Sequence, residues 1–113
     1  MTAKNTLITA PPYPVEQTLK RLGTGLRTAR LRRNLTIEEV AGKIGTGPRP
    51  VANAEKGKPS TSAAVYIALL WAYDLLDQMT GVADPALDAE GLALSMQRER
   101  ARAREEEELD SDF

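Results

Sequence analysis

At 113 residues the chain has room for one domain with a modest core, so close helix packing or a partner subunit has to supply part of its stability. It contains no cysteine and no histidine, which excludes disulfides and thiolate metal sites, removes the commonest general base, and leaves metal and triad catalysis nearly without residues to perform them. The formal net charge of -1 hides a split: residues 16–58 hold ten Lys or Arg against four Asp or Glu, residues 59–97 hold five acids and no base, and residues 98–113 hold four Arg against seven acids. A basic segment joined to an acidic one suits a nucleic-acid-binding module with a protein-facing extension, because local charge and not total charge sets affinity for phosphates.

Residues 1–14 carry three prolines and little amphipathic pattern. They read as a flexible arm, with a short strand through Thr6-Leu7-Ile8-Thr9, pairing with a partner subunit, as the alternative. The apolar core of this start is too short for a secretory signal, and no apolar run reaches the roughly 20 residues of a membrane span, so a cytoplasmic protein is expected. From about Val15 to Arg33, Leu19, Leu22, Leu26 and Ala29 recur at spacings of three or four and predict an amphipathic helix. Asn34 tolerates the left-handed conformation that would end it. Lys20, Arg21, Arg27, Arg32 and Arg33 lie mostly off the apolar stripe, either as a solvated face or, for Arg27 above all, facing phosphates.

Residues 35–58 read as two short helices around Gly45-Thr46-Gly47. Thr36 and Glu39 have the spacing of a capping box, and Val40, Ala41 and Ile44 form an apolar stripe that Gly45 stops. Gly47 and Pro48 suit the start of the second helix, Val51 and Ala54 its inner face, and Gly57 its end. So short a turn makes the helices cross steeply and leaves the outer face of the second one free, which is a helix-turn-helix. After Pro59, Ser60 to Ser62 can cap an apolar run from Ala63 to Trp71, predicted to be the central helix, with Tyr66 and Trp71 as core or dimer contacts rather than stacking platforms for bases. A fifth helix is expected over Leu75 to about Val82, with Leu75, Leu76 and Met79 inward. Residues 84–97 read as a dimerisation or partner-binding extension, either helical from Asp88 to Met96 or a strand through the alternating Leu92-Ala93-Leu94-Ser95-Met96. The end, QRERARAREEEELDSDF, is too charged to fold alone and is expected to be disordered or a frayed helix.

The span from about Leu22 to Tyr73 resembles the Xre/Cro-like helix-turn-helix domains in the pattern L-x-x-x-L-R-x-A-R-L-R-R-N-L-T-x-E-E-V-A-x-x-I-G, followed by V-A-x-A-E-K-G-K-P-S. The resemblance implies an all-α, five-helix lambda-repressor-like bundle with a short C-terminal strand or helix and a disordered charged tail. It also implies a cytoplasmic, non-enzymatic DNA-binding repressor, dimeric and without cofactor, in which Arg30 and Glu55 form a structural ion pair. More narrowly, KPSTSAAVYIALLWAYDLLDQM, ADPALDAEGLAL and the closing LDSDF are similar to HipB-like antitoxins, regulators encoded beside HipA-type kinase toxins. That likeness implies an antitoxin that represses its own operon, dimer or partner contacts at Leu92, Leu94 and Met96, and a HipA-like kinase held through Leu109 and Phe113. The chain departs from the Xre pattern at Ile37, Gly47 and Asp74, where Gln, a polar cap and Gly are more usual.

A recognition helix presents its first turn, and one residue a turn later, to base edges in the major groove. Those positions are Arg49 and Asn53, with Thr46 just ahead: Arg49 can bind guanine and Asn53 adenine bidentately. Arg27, Lys43, Lys56, Lys58, Thr61 and Ser62 suit phosphates, which give register and affinity without sequence information. Pro48 and Pro50 remove two donors, so moderate affinity is expected, raised by dimerisation or a corepressing partner. A second reading, a toxin-neutralising or adaptor protein using the helix-turn-helix only as a scaffold, has no need of the basic segment. An enzyme is a distant third, since Glu105 to Glu108 lie in a segment with no burial to raise a pKa.

Overall fold

A computed structural model describes residues 5–111, which form two units, one up to Asp77 and one from Gln78. The first holds α1 (Thr6–Thr9), α2 (Tyr13–Arg32), α3 (Ile37–Ile44), α4 (Pro48–Glu55) and α5 (Ala63–Ala72). A 3-10 helix, Leu76–Met79, lies at the division, and the second unit holds another, Pro85–Leu87, followed by α6 (Ala89–Ser111). Among the described residues there is no strand, and no helix is long and apolar enough to cross a membrane.

Helices α2 to α5 all stop in the same way. A residue with positive φ follows the helix, and the next N–H reaches back five residues to a carbonyl of the last turn, which satisfies acceptors the helix leaves open. The left-handed residues are Asn34, Gly45, Gly57 and Asp74, and the closing bonds run from Leu35 to Arg30, Thr46 to Ala41, Lys58 to Asn53, and Leu75 to Leu70, at 2.8–3.2 Å. Asp74, standing where a glycine is more usual, still adopts φ 57, because a short polar side chain tolerates that region. At the other ends, Thr36 and Glu39 form a reciprocal capping box on α3, and Ser62 accepts from the Val65 N–H at the start of α5.

The core of this unit is built from Leu26 and Ala29 of α2, Val40 and Ala41 of α3, Val51 and Ala54 of α4, and Tyr66, Leu69 and Leu70 of α5 with Tyr73. Each of the large members contributes roughly 1.5–3 kcal/mol by leaving water. Backbone meets backbone where α2 crosses the end of α4: a Cβ on Gly23 would lie 2.5 Å from the Ala54 carbonyl oxygen, and one on Gly57 2.5 Å from that of Leu19. Only glycine fits at either position.

Tyr73, fully buried, ends α5 beneath Arg33, whose guanidinium stacks 5.6 Å from the ring centroid while donating to the Tyr73 and Ala29 carbonyls at 2.8 and 2.9 Å. Lys43 donates to the Ala72 carbonyl at 3.3 Å. Two cations thus sit on the open carbonyls of one helix C-terminus, where the helix dipole favours positive charge.

Several expectations are corrected. Residues 6–9, read as part of a flexible arm or as a strand, form one helical turn closed by the Ala10 N–H on the Thr6 carbonyl at 2.7 Å; a strand needs a neighbour, and a turn satisfies itself. Helix α2 starts at Tyr13, with Pro14 in its first turn. The fifth helix shrinks to the 3-10 turn Leu76–Met79, none of it buried, because Asp74 and Leu75 are spent on the stop of α5 and Gly81 soon follows. Helix α5, expected to be the central helix, buries one side and leaves Ile67 and Trp71 exposed, Trp71 by 54%, so that of its two expected aromatic contacts only Tyr66 lies in the core. The strand over Leu92-Ala93-Leu94-Ser95-Met96 is helix, continuous with the segment expected to be disordered or frayed, as far as Ser111. Asp88 accepts from the Gly91 N–H at 3.0 Å and opens it, and residues 89–111 contain no β-branched residue, so strong helix formers outweigh a short alternation.

The Tyr73 hydroxyl meets no hydrogen-bond partner among the described residues, and burial pushes its pKa from 10.0 up to about 12. An acid whose pKa is higher folded than unfolded leaves stability untouched below about pH 10 and erodes it up to about pH 12, here by roughly 2–3 kcal/mol. Tyr73→Phe keeps the ring under Arg33 and removes the orphaned group. We expect the variant to be at least as stable as the parent at neutral pH and to lose less stability between pH 10 and 12, measured by urea denaturation across that range.

Candidate nucleic-acid interface

The link from α3 to α4 is only Gly45, Thr46 and Gly47. Gly47 caps α4 without a side-chain bond, and Pro48 and Pro50 occupy first-turn positions whose N–H groups have no intrahelical partner in any case. The helix is eight residues long and buries Val51 and Ala54, leaving Arg49 exposed and Asn53 half-buried.

Its far end is held electrostatically. Arg30 of α2, only 8% exposed, donates from Nε to Glu55 Oε2 at 2.7 Å, from Nη2 to Glu55 Oε1 at 3.0 Å and from Nη1 to the Leu35 carbonyl at 2.9 Å. The hydrogen bond to Glu55 raises the guanidinium pKa above its ordinary value, against the opposing effect of burial. Bidentate geometry fixes direction as well as distance, so α4 is tied to α2 both by this pair and by the backbone contact at Gly23 and Gly57.

An open cleft of about 330 Å³ lies between the turn, the outer side of α4 and the start of α5, lined by Thr46, Pro50, Asn53, Thr61 and Ser62 among others. It joins two of the three residues expected to meet bases with two of those expected to meet phosphates. Beside it the Ala63 and Ala64 N–H groups belong to the first turn of α5, where donors are open and the dipole is positive. Arg49 stands outside this cleft, exposed, and neither its side chain nor that of Arg27 makes a hydrogen bond or ion pair among the described residues. Lys56 and Lys58 line a separate cleft with Lys20.

Lys43, expected at a phosphate, is exposed and donates to the Ala72 carbonyl at the end of α5. In the second unit Leu92, Leu94, Met96 and Leu109 are exposed, and in a helix Leu94 points away from the Leu92 and Met96 side, so no single apolar stripe unites them. Phe113 lies outside the described residues. Three positions that shape the site carried no local signal of it. Gly23 and Gly57 set the approach of α2 to α4, and Arg33 was read only as one charge in a basic run; the pairing of glycines across two helices was the nearest available clue.

Residues 21–81 match a family described as a helix-turn-helix domain. No curated protein and no solved structure matches the chain.

Removing one partner of a buried ion pair strands the other charge, at a cost of about 3–5 kcal/mol, whereas replacing both with apolar groups of similar size is often close to neutral. Arg30→Met should therefore lower unfolding free energy by that amount, and Arg30→Met combined with Glu55→Leu should recover most of the loss. Chemical denaturation of the three variants and the parent completes the cycle.

Proposed function

The chain belongs to the helix-turn-helix domain family, and from that premise we propose that it is a sequence-specific DNA-binding transcription regulator acting as a homodimer. The observation that carries this reading is the polar cleft joining Thr46 and Asn53 to Thr61 and Ser62 at the opening of α5. Groups suited to bases and groups suited to phosphates line that one open cleft together. In this mechanism α4 enters the major groove and Arg49 takes guanine O6 and N7 in bidentate fashion. Asn53 takes adenine N6 and N7, and the first turn of α5 receives a phosphate. Arg27 and the lysines of residues 56–58 add phosphate contacts that give affinity but no sequence preference. Lys43 joins them only by releasing the Ala72 carbonyl.

One helix of this length reads too few base pairs to be selective, so a two-fold dimer on half-sites about one helical turn apart supplies the rest. With Pro48 and Pro50 unable to donate, each protomer binds weakly, which makes dimerisation or a corepressing partner part of the function. The exposed Ile67 and Trp71 of α5 offer one apolar surface for it.

The finer reading places the protein among Xre-type, HipB-like antitoxins that repress their own operon, cytoplasmic and without catalytic activity or cofactor, with a HipA-like kinase toxin as partner. It is supported by the likeness of ADPALDAEGLAL and LDSDF to such regulators and by α6, a helix exposed throughout residues 92–110. The competing adaptor reading leaves the basic residues 16–58 without a purpose.

Arg49→Ala should weaken binding to the preferred site by about 1–3 kcal/mol and relax preference at one base pair, with little change on random duplex. Footprinting on the protein's own promoter gives the comparison; equal losses on both DNAs would assign Arg49 to phosphate alone. Deleting residues 109–113 should leave DNA binding intact and abolish co-purification with the product of the adjacent gene. Undiminished capture would move the partner contact elsewhere.

A further inference from the structure

We propose that the cleft between residues 8–11 and residues 56–59 is a second phosphate site. On this view the N-terminal segment is a wall of the DNA interface, taking a backbone phosphate outside the recognition-helix contact. The inference rests on the DNA-binding reading above and adds to it a site and a charge control.

The cleft, of about 270 Å³, is walled on one side by the turn at residues 8–11, on the other by residues 56–59, and floored by Glu16 and Lys20 of α2. Both walls are held in place. The first is closed by the Ala10 and Thr9 bonds to Thr6 and Asn5 and leads through Pro11 and Pro12, whose φ is fixed, into the Glu16 N–H on the Pro12 carbonyl at 3.0 Å. The second is fixed by the Lys58 N–H on Asn53, by Gly57 against the α2 backbone, and by the Tyr66 hydroxyl donating to the Lys58 carbonyl at 3.0 Å.

Its charge is unbalanced. Lys20 is neutralised by Glu16 at 2.9 Å, whereas Lys56 and Lys58 have no acid partner among the described residues. Two exposed lysines without an acid partner line this one cleft and suit an anion, and lysine binds phosphate as a point charge without reading sequence. The cleft is open to solvent and has room for a phosphate group. Residues 56–62 form one loop that supplies the lysines to this cleft and Thr61 and Ser62 to the other, so a single strand following the loop meets both. Glu16, by occupying Lys20, holds the site one charge below its capacity.

The test uses the full chain and duplex DNA, specific and random. Glu16→Gln frees Lys20 and should raise affinity about threefold to tenfold on both DNAs, steepening the dependence of log K on log salt by about 0.9. Ala10→Glu puts a carboxylate into the cleft and should lower affinity on both to a similar degree, and Glu90→Gln on α6 should change neither. If the parent binds a preferred duplex normally and both cleft variants match it, the site is refuted while the regulator reading stands. If the parent binds no duplex, both fail together. Saturable binding of inorganic phosphate that Ala10→Glu abolishes, with DNA affinity unchanged, would assign the cleft to a free anion and overturn the proposal.

Discussion

The buried pair between Arg30 and Glu55 is the interaction on which the geometry of the interface depends. Burying two charges is costly, and such pairs add little net stability compared with apolar residues of the same size. What this one adds is direction. Its two parallel bonds, with a third from Arg30 to the Leu35 carbonyl, lock the C-terminal end of α4 to α2 and to the loop leading into α3. The backbone contact of Gly23 with residues 54–57 fixes the same junction sterically. A helix of eight residues anchored at one end and on its inner face can leave its N-terminal turn open without losing its orientation.

The repeated left-handed stop serves the same end by a different route. Four consecutive helices close on a back-reaching N–H, so the connections consume few residues and a carbonyl of each last turn finds a donor. Short connections bring the turn before α4 and the start of α5 to opposite rims of one cleft. The cations divide accordingly: Arg30, Arg33 and Lys43 are used internally, on a carboxylate, a ring and carbonyl oxygens, while Arg27, Arg49, Lys56 and Lys58 remain without acid partners among the described residues. A basic segment counted from composition therefore overstates the charge available to a ligand.

What was legible in the amino-acid order was local. The Thr36 and Glu39 spacing, Gly45 as a stop and Asn34 as a left-handed residue follow from rules that act within five residues, and each is seen in the structure. The pairing of Arg30 with Glu55 required a family likeness, since 25 residues separate the two. Tertiary contacts were the blind region: nothing adjacent to Gly23 indicates that a carbonyl from α4 occupies the space of its missing side chain, and nothing near Lys43 reveals that its charge ends α5. The alternation of Leu92, Leu94 and Met96 misled because period two over five residues is weak beside the helix propensity of the surrounding 23-residue segment. The apolar face of α5 that carries Ile67 and Trp71 is left exposed, because α3 and α4 pack on its other side.

On the proposed function, duplex DNA is held at the turn before α4 and the opening of α5. An NMR titration of isotope-labelled full-length protein with a duplex from its own promoter tests this most directly. Saturable shifts are expected at Thr46, Arg49, Asn53, Thr61, Ser62 and Ala63, with Leu69 and Leu70 in the core unmoved. Saturable shifts confined to α6, or none at any of the six positions, would contradict it.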